Sequence, residues 1–431
     1  MVLRCKPLEK ENKRLLIQRL IAAAVVILLM LGLSQPMFAL AALGVVGLYV
    51  VLSENEEGMR MMFFLLPFGN IFKSSPESTS FFTYLTIIFA VKLLLSQKKI
   101  KIGFLVAWSA LLVFQVVGSF MDYKILIKQA YLLLLIYGYF QCCKPMLKDM
   151  VMALSCGVVI SCSIGFFLAD FPGLAQYMRM VRTYEISYDL LRFTGLYSDP
   201  NYLSLVLVVL MVALYGLMRA KQIGKIGWVL CGCMVFFGVQ TISKSFFLML
   251  FVALLLFIIE AIRHRRFAFL AILVTAVTIV VVLVMQGKIQ MFDNILERLF
   301  HSDDFTTGRT DLLGTYLTHS FGNPIHLIVG TGVAAAPLGG LPHNTYIDFL
   351  YYYGLLGTFF FGLAMYYAIS PVRVKFSLLN TSPLICFCIM IAALSYLQMY
   401  DFSYVLILVF ALLKEGVTKS ESPLQMQGTA A

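Results

Sequence analysis

Charge is what this chain has least of. Only 13% of its 431 residues are Asp, Glu, Lys or Arg and 61% are hydrophobic, where a soluble domain carries about 25% charged and about 45–50% apolar residues. A water-soluble globule is therefore excluded, and the bilayer is the solvent against which the apolar stretches are read. The signatures of several reaction classes are also missing. There is no Walker loop, no dinucleotide fingerprint and no nucleophile elbow. No Asp-x-Asp pair stands in an outward stretch; Asp303-Asp304 comes nearest and reads as a solvated acidic pair, so neither a metal site nor a cofactor is expected. The nine cysteines fall in spans or on the side read as cytoplasmic, which predicts no disulfide framework. Cys231/Cys233 and Cys386/Cys388 read as apolar fillers, because zinc wants four convergent ligands. A net charge of +11 would point to nucleic acid in a soluble protein, but no loop here interleaves basic with aromatic residues, so nucleic acid is not an expected partner.

What the chain has in abundance is apolar sequence in lengths that suit a membrane. Spans are expected near 18–34, 36–52, 59–72, 80–96, 102–120, 125–141, 149–168, 200–218, 226–241, 245–262, 267–286, 343–368, 383–399 and 402–413. The third and the last are short enough to be re-entrant, which leaves twelve to fourteen crossings and an all-α polytopic membrane protein. The basic N-terminal residues lead into the first span without a small-residue cleavage site, so that span is read as retained. "QKKIK" (97–101), Lys144/Lys148, "RAKQIGK" (219–225), "RHRR" (263–266), Arg373/Lys375 and Lys414/Lys419 then share one face, which the positive-inside bias marks as cytoplasmic. Residues 1–414 read as a single transmembrane domain with outward loops 169–199 and 287–342, and 415–431 as a cytoplasmic tail. No internal repeat and no low-complexity tract divides it.

Polar residues concentrate between Gln286 and Gly357, in "GRTDLL" (308–313), "VGTGVAAAPLGG" (329–340) and "PHNTYIDFLYYYGLLG" (342–357). Arg309 opens an amphipathic stretch in which Leu312, Leu313, Tyr316 and Leu317 recur at helical spacing, a face for the membrane surface. An arginine there, beside Gly308, suits a phosphate; a surface helix with a stray arginine is the equal alternative. Arg192, in "LLRFTGLYSDPN", precedes a span that Ser198 or Asp199 can cap and that Pro200 can start. A helix N-terminus beside an arginine makes an anion site, and a headgroup-snorkelling arginine is the competing reading. Lys124 and Lys128 lie at the outer end of one span, where a lysine ordinarily reaches for headgroups; Lys244 starts another at the depth expected of Arg192, which makes it a diphosphate-binding candidate. Lys92 reads as snorkelling, and His301, His319 and His326 as ordinary loop residues.

His343 is the sharpest candidate. Pro342 precedes it, Asn344 can cap, and a helix starts at once. The helix start disfavours a second positive charge, which keeps the imidazole neutral near pH 7 and able to take a proton from a hydroxyl. Asp348, one turn later, is an ionisable residue inside a span and is functional or pair-forming by default.

With these residues in view the sequence resembles the O-antigen ligase / O-antigen polymerase superfamily of bacterial envelope glycosyltransferases. The resemblance is carried by "RFTGLYSDPN" (Arg192, Gly195, Pro200, Asn201), "GRTD" (Arg309) and "PHNTYIDFLYYYGLLG" (His343, Asn344, Gly354, Gly357). It implies a C-type glycosyltransferase-like fold with one large extracytoplasmic loop bearing amphipathic helices, in the bacterial cytoplasmic membrane. It also implies an enzyme, acting on the outer face, that passes a glycan from undecaprenyl diphosphate to a sugar hydroxyl. Arg192 and Arg309 correspond to the diphosphate-binding arginines and His343 to the acceptor-activating histidine, with Asp199, Asn201, Asn344 and Asp348 in support. Where many members read Ser-Arg, this chain reads Ser243-Lys244, which keeps the charge but loses the bidentate fork. The implied activity is polymerisation of lipid-linked oligosaccharide, with membrane lipid and a chain-length regulator as partners. A ligase with a lipid A core or protein acceptor shares the same donor site. A lipid-linked oligosaccharide flippase is the alternative of another class, disfavoured by the absence of repeat symmetry.

Overall fold

The computed structural model describes residues 5–97, 99–118, 123–177, 181–185, 188–267, single positions between 270 and 286, 309–332, 335, 337–370, 377–397, 399 and 401–416. Its first half is a series of apolar helices: α1 (Cys5–Gly32), α2 (Pro36–Leu52), α3 (Asn55–Leu65), α4 (Phe81–Leu95), α5 (Ile102–Gly118), α6 (Tyr123–Cys142) and α7 (Leu147–Phe167). A small antiparallel hairpin follows, β1 (Val181–Glu185) paired with β2 (Tyr188–Arg192), with Val181 opposite Arg192. The second half holds α8 (Pro200–Arg219), α9 (Ile226–Gln240), α10 (Lys244–Arg263), α11 (Arg309–Gly322), α12 (Pro324–Val329), α13 (Thr345–Asp348), α14 (Gly354–Ile369), α15 (Leu378–Ile391) and α16 (Phe402–Glu415). Apart from the hairpin and short turns, the described elements are helical. Asp303-Asp304, His301, the segment 287–308 and the tail beyond 416 lie outside the described residues, as do the side chains of Lys124 and Lys128.

Among the described residues, five helices are long and apolar enough to cross a membrane: Asn12–Gly32, Leu147–Phe167, Pro200–Arg219, Lys244–Arg263 and Thr345–Ile369. Six shorter apolar helices accompany them. Burial sorts these by position. In α8, 83% of the apolar window lies inside the protein, against 28% in α10, so α8 is central and α10 is peripheral. α16 is buried almost all round as well, which is how a helix apolar on every face behaves when it sits in the middle of a bundle.

Two expectations from the sequence need correction. The stretch 59–72 is not one span: α3 stops at Leu65 and passes through a 3-10 turn, Leu66–Phe68, where Pro67 ends the regular helix. The stretch 383–399 is not one either, since α15 stops at Ile391 and the described residues 392–397, 399 and 401 are turns and irregular backbone. Part of the apolar face of α11 meets protein, while Leu313 and Leu317 stay half-exposed. Tyr316 is fully buried, its ring stands edge-on to Tyr351 at 4.7 Å, and its hydroxyl donates to Gly340 O at 2.7 Å. The span expected at 343–368 is present as Thr345–Ile369, but its helix is not regular throughout. Between α13 and α14 the backbone widens into a π-turn, Phe349–Tyr353, and Gly354 takes φ 63.

That break has an identifiable partner. Thr331 N–H and Oγ1–H both donate to Tyr351 O at 2.8 Å, and Gly332 N–H donates to Tyr352 O at 3.1 Å. The glycine-rich turn thus satisfies carbonyls that the π-turn releases. A Cβ on Gly330 (φ 81) would stand 2.6 Å from Gly354 N, and one on Gly354 would stand 2.4 Å from Gly330 N. Both positions need glycine for φ and for space. Lys92 also finds a role beyond reaching for headgroups, because its ammonium donates to Val50 O at 2.7 Å and to Ser53 O, closing the C-terminal end of α2.

Candidate active site

The site is assembled around the start of α8. Asp199 caps that helix by accepting from Asn201 N–H at 2.6 Å, and Pro200 occupies the first helical position, where no backbone donor is needed. Such a cap contributes about 1 kcal/mol. Just upstream, Gly195 takes φ 58 where the chain presses against α7, its Cβ position 3.2 Å from Cys162 Sγ. This turn delivers β2 to the C-terminal end of α9. Phe193 N–H donates to Gln240 O at 3.1 Å and Arg192 Nε–H to Thr241 O at 3.0 Å. A guanidinium at a helix C-terminus meets free carbonyls and the negative end of the dipole, which stabilises a 5%-exposed Arg192 in this position.

Asn201 then links three elements. Its Oδ1 accepts from Arg192 Nη2 at 3.1 Å, from Ser243 Oγ at 2.6 Å and from Ser245 Oγ at 3.4 Å. Arginine only donates, so the atom facing it must be the amide oxygen. The two amide N–H groups of Asn201 consequently point away from Arg192. Ser243 caps α10 and is fully buried, and Lys244 follows it at the first helical position, half-exposed. The starts of α8 and α10 therefore lie side by side, with Arg192 tied to both through Asn201.

Arg309 and His343, later in the chain, come within electrostatic reach of Tyr202 and of Asp199 at the start of α8, respectively. Arg309, first residue of α11, donates through Nη1 to Ala393 O at 3.2 Å. His343 is half-buried, and its ring nitrogens make no hydrogen bond to a described residue. Burial first, and then the charge of Arg309, hold its pKa below the ordinary value of 6.5, against an opposing pull from Asp199. The imidazole is thus neutral near pH 7 and feels charges from both α8 and α11. Its backbone sits at φ 49, a left-handed conformation that costs a non-glycine residue about 1–3 kcal/mol and persists only where neighbours hold it. Asn344 is one such neighbour: its Oδ1 accepts from Tyr346 N–H at 3.0 Å and Ile347 N–H at 3.2 Å, capping α13.

Asp348 behaves differently. It is 3% exposed, accepts from Ser395 Oγ at 3.3 Å, and is not among the charges that act on His343. It faces Tyr202, whose hydroxyl donates to Ser395 O at 3.0 Å and lies within electrostatic reach of Asp199, Asp348, Asp401 and Arg309. Thus Arg192, Asn201 and Lys244 lie at the paired starts of α8 and α10, Asp199 at the start of α8 lies within reach of His343 as Arg309 does, and Asp348 lies on the far side of Tyr202.

Sequence reasoning missed the segment 392–401. Its backbone receives Arg309, Thr345 and Tyr202 in turn, at Ala393 O, Leu394 O and Ser395 O. The signal was present in "LSYLQMYD", where Ser395, Tyr396 and Asp401 interrupt two short apolar runs. His319 and His326 stack at 4.8 Å on α11 and α12 beside Tyr351, away from the groups above. Among the described residues, no group of three or more His, Cys, Asp or Glu converges as metal ligands would. No protein-family model, no curated protein and no solved structure matches this chain.

Proposed function

We propose that this protein is a membrane glycosyltransferase that polymerises lipid-linked oligosaccharide at the outer face of a bacterial cytoplasmic membrane. The donor is a glycan on undecaprenyl diphosphate, and the acceptor is a sugar hydroxyl of another lipid-linked unit. One observation supports the reading: a neutral histidine lies within reach of the charges of Arg309 and of Asp199, the cap of the helix whose Asn201 holds Arg192. Arg192 and Arg309 face the diphosphate, with Lys244 and the Asn201 amide donors completing its surroundings. The acceptor hydroxyl gives its proton to His343 as its oxygen bonds to the anomeric carbon. The bond from that carbon to the phosphate oxygen breaks, and the electron pair leaves with the diphosphate. Charge develops on the leaving group, which is where fixed cations lower the barrier; a positioned base adds about 10²–10⁴-fold.

The test is glycan length in cells carrying His343→Ala. A catalytic base predicts single, unpolymerised units outside the membrane. A flippase predicts no outward units when it fails. Long chains as in the parent would remove His343 from the mechanism.

A further inference from the structure

We infer that Thr345 is a positioning residue which, with the segment 393–396, straps the His343 imidazole into register with the Arg309 guanidinium; the inference rests on the reading of the site given above. Thr345 is fully buried, and its hydroxyl works in both directions. It donates to Leu394 O at 2.5 Å and accepts from Tyr396 N–H at 2.9 Å. Of the side chains this small, only a hydroxyl does both at once.

The adjoining residues of the segment hold everything else. Ala393 O receives Arg309 Nη1 at 3.2 Å, Ser395 O receives the Tyr202 hydroxyl at 3.0 Å, and Ser395 Oγ donates to Asp348 at 3.3 Å. Four consecutive residues therefore tie α8, α11 and α13 to one another. His343 stands two residues before Thr345 with φ 49, so the strained turn that aims the ring is anchored on its C-terminal side by this clamp and by the Asn344 cap. Thr345 has no place among the groups facing the diphosphate; it acts through His343. Valine has the same shape, loses both hydrogen bonds, and strands Leu394 O and Tyr396 N–H inside the protein.

The experiment compares wild type, Thr345→Val and Thr345→Ser in proteoliposomes. The probe is lipid-linked oligosaccharide extracted from the producing cells, and kcat, KM and the acid limb of kcat are measured. Thr345→Val lowers kcat roughly ten- to a hundredfold, the effect of a small misplacement of a reacting group, with KM nearly unchanged. Its acid limb moves up toward the ordinary histidine value. The ring leaves its buried seat beside Arg309 of α11, while Asp199 at the start of α8, which favours the charged form, gains weight. Thr345→Ser recovers most of kcat and the original limb. A Thr345→Val enzyme with parental kcat and pH profile overturns the inference, as does a serine variant impaired like the valine one. Should valine prevent folding, Thr345→Ala against Thr345→Ser makes the same comparison, with His343 titrated by NMR in each. A wild type that transfers nothing from this probe defeats the transferase reading, while the NMR titration still decides the strap.

Discussion

Two carboxylates, Glu260 and Asp348, are buried to nearly the same degree, 2% and 3% exposed, and are held in opposite ways. Glu260, near the end of α10, receives Arg219 of α8 through Nη2 at 2.6 Å and Nε at 3.1 Å on one oxygen. The Tyr215 hydroxyl donates to its other oxygen at 3.0 Å. Each donor site of the fork is used, and the result is a compensated ion pair that joins two helices. Asp348 receives one hydroxyl, from Ser395, at 3.3 Å. A buried carboxylate without a cation is a cost that packing does not repay, and such groups concentrate at working sites. Residues 244 and 260 lie about 24 Å apart along one helix. The α8–α10 pair thus has a clamp at one end and, at the other, the gathering of Arg192, Asn201 and Lys244. Paired charge at one end joins the two helices; at the other end an amide and hydroxyls do so.

Substitutions at the two ends should separate rate from stability. His343→Ala is expected to lower transfer by about 10²–10⁴-fold with the thermal midpoint unchanged, as read by turnover and a melting scan. Arg219→Ala does the reverse. It strands Glu260 and destabilises the fold by about 3–5 kcal/mol, while activity per folded molecule holds. Asp348→Asn, which removes a charge that has no cation to lose, leaves stability level or raises it. Denaturant titration in detergent checks both, and equal destabilisation by the two would erase the distinction.

A smaller effect sharpens the role of Arg309. Arg309→Lys keeps the charge and loses the planar fork, so turnover falls by about tenfold or more, the worth of one charged hydrogen bond of about 1.5–3 kcal/mol. Full activity of this variant would make Arg309 a residue of the α11 surface. The smallest effect is electrostatic. Arg309 lowers the His343 pKa and Asp199 raises it. Arg309→Gln should therefore move the titration up toward 6.5 and Asp199→Asn should move it further down, both followed by NMR. Since the base works in its neutral form, the acid limb of the rate profile follows each shift in the same direction.

Helix starts were legible in the sequence because local chemistry sets them. Asp199-Pro200 and Pro342-His343-Asn344 each carry a cap and a stop within a few residues. What hydropathy could not show is where an apolar run stops being helix. The runs at 59–72 and 383–399 look continuous, yet Pro67 ends one and the demand of Arg309, Thr345 and Tyr202 for acceptors unwinds the other. That second break depends on partners 49 to 193 residues away and leaves Ser395, Tyr396 and Asp401 as a local trace. The neutrality of His343 was legible in direction but not in cause: the helix start suggested it, whereas burial and Arg309 produce it. The apolar side of α11 was legible, but amphipathicity states that a helix has an apolar side and not what covers it, and Tyr316 is covered by protein.

The central claim is most directly tested in proteoliposomes given native undecaprenyl-diphosphate-linked oligosaccharide, with release of undecaprenyl diphosphate followed alongside glycan length. The account predicts that wild type releases the carrier as chains lengthen, and that His343→Ala still binds undecaprenyl diphosphate but releases none. Equal release by both proteins, or movement of intact lipid across the bilayer without release, would contradict it.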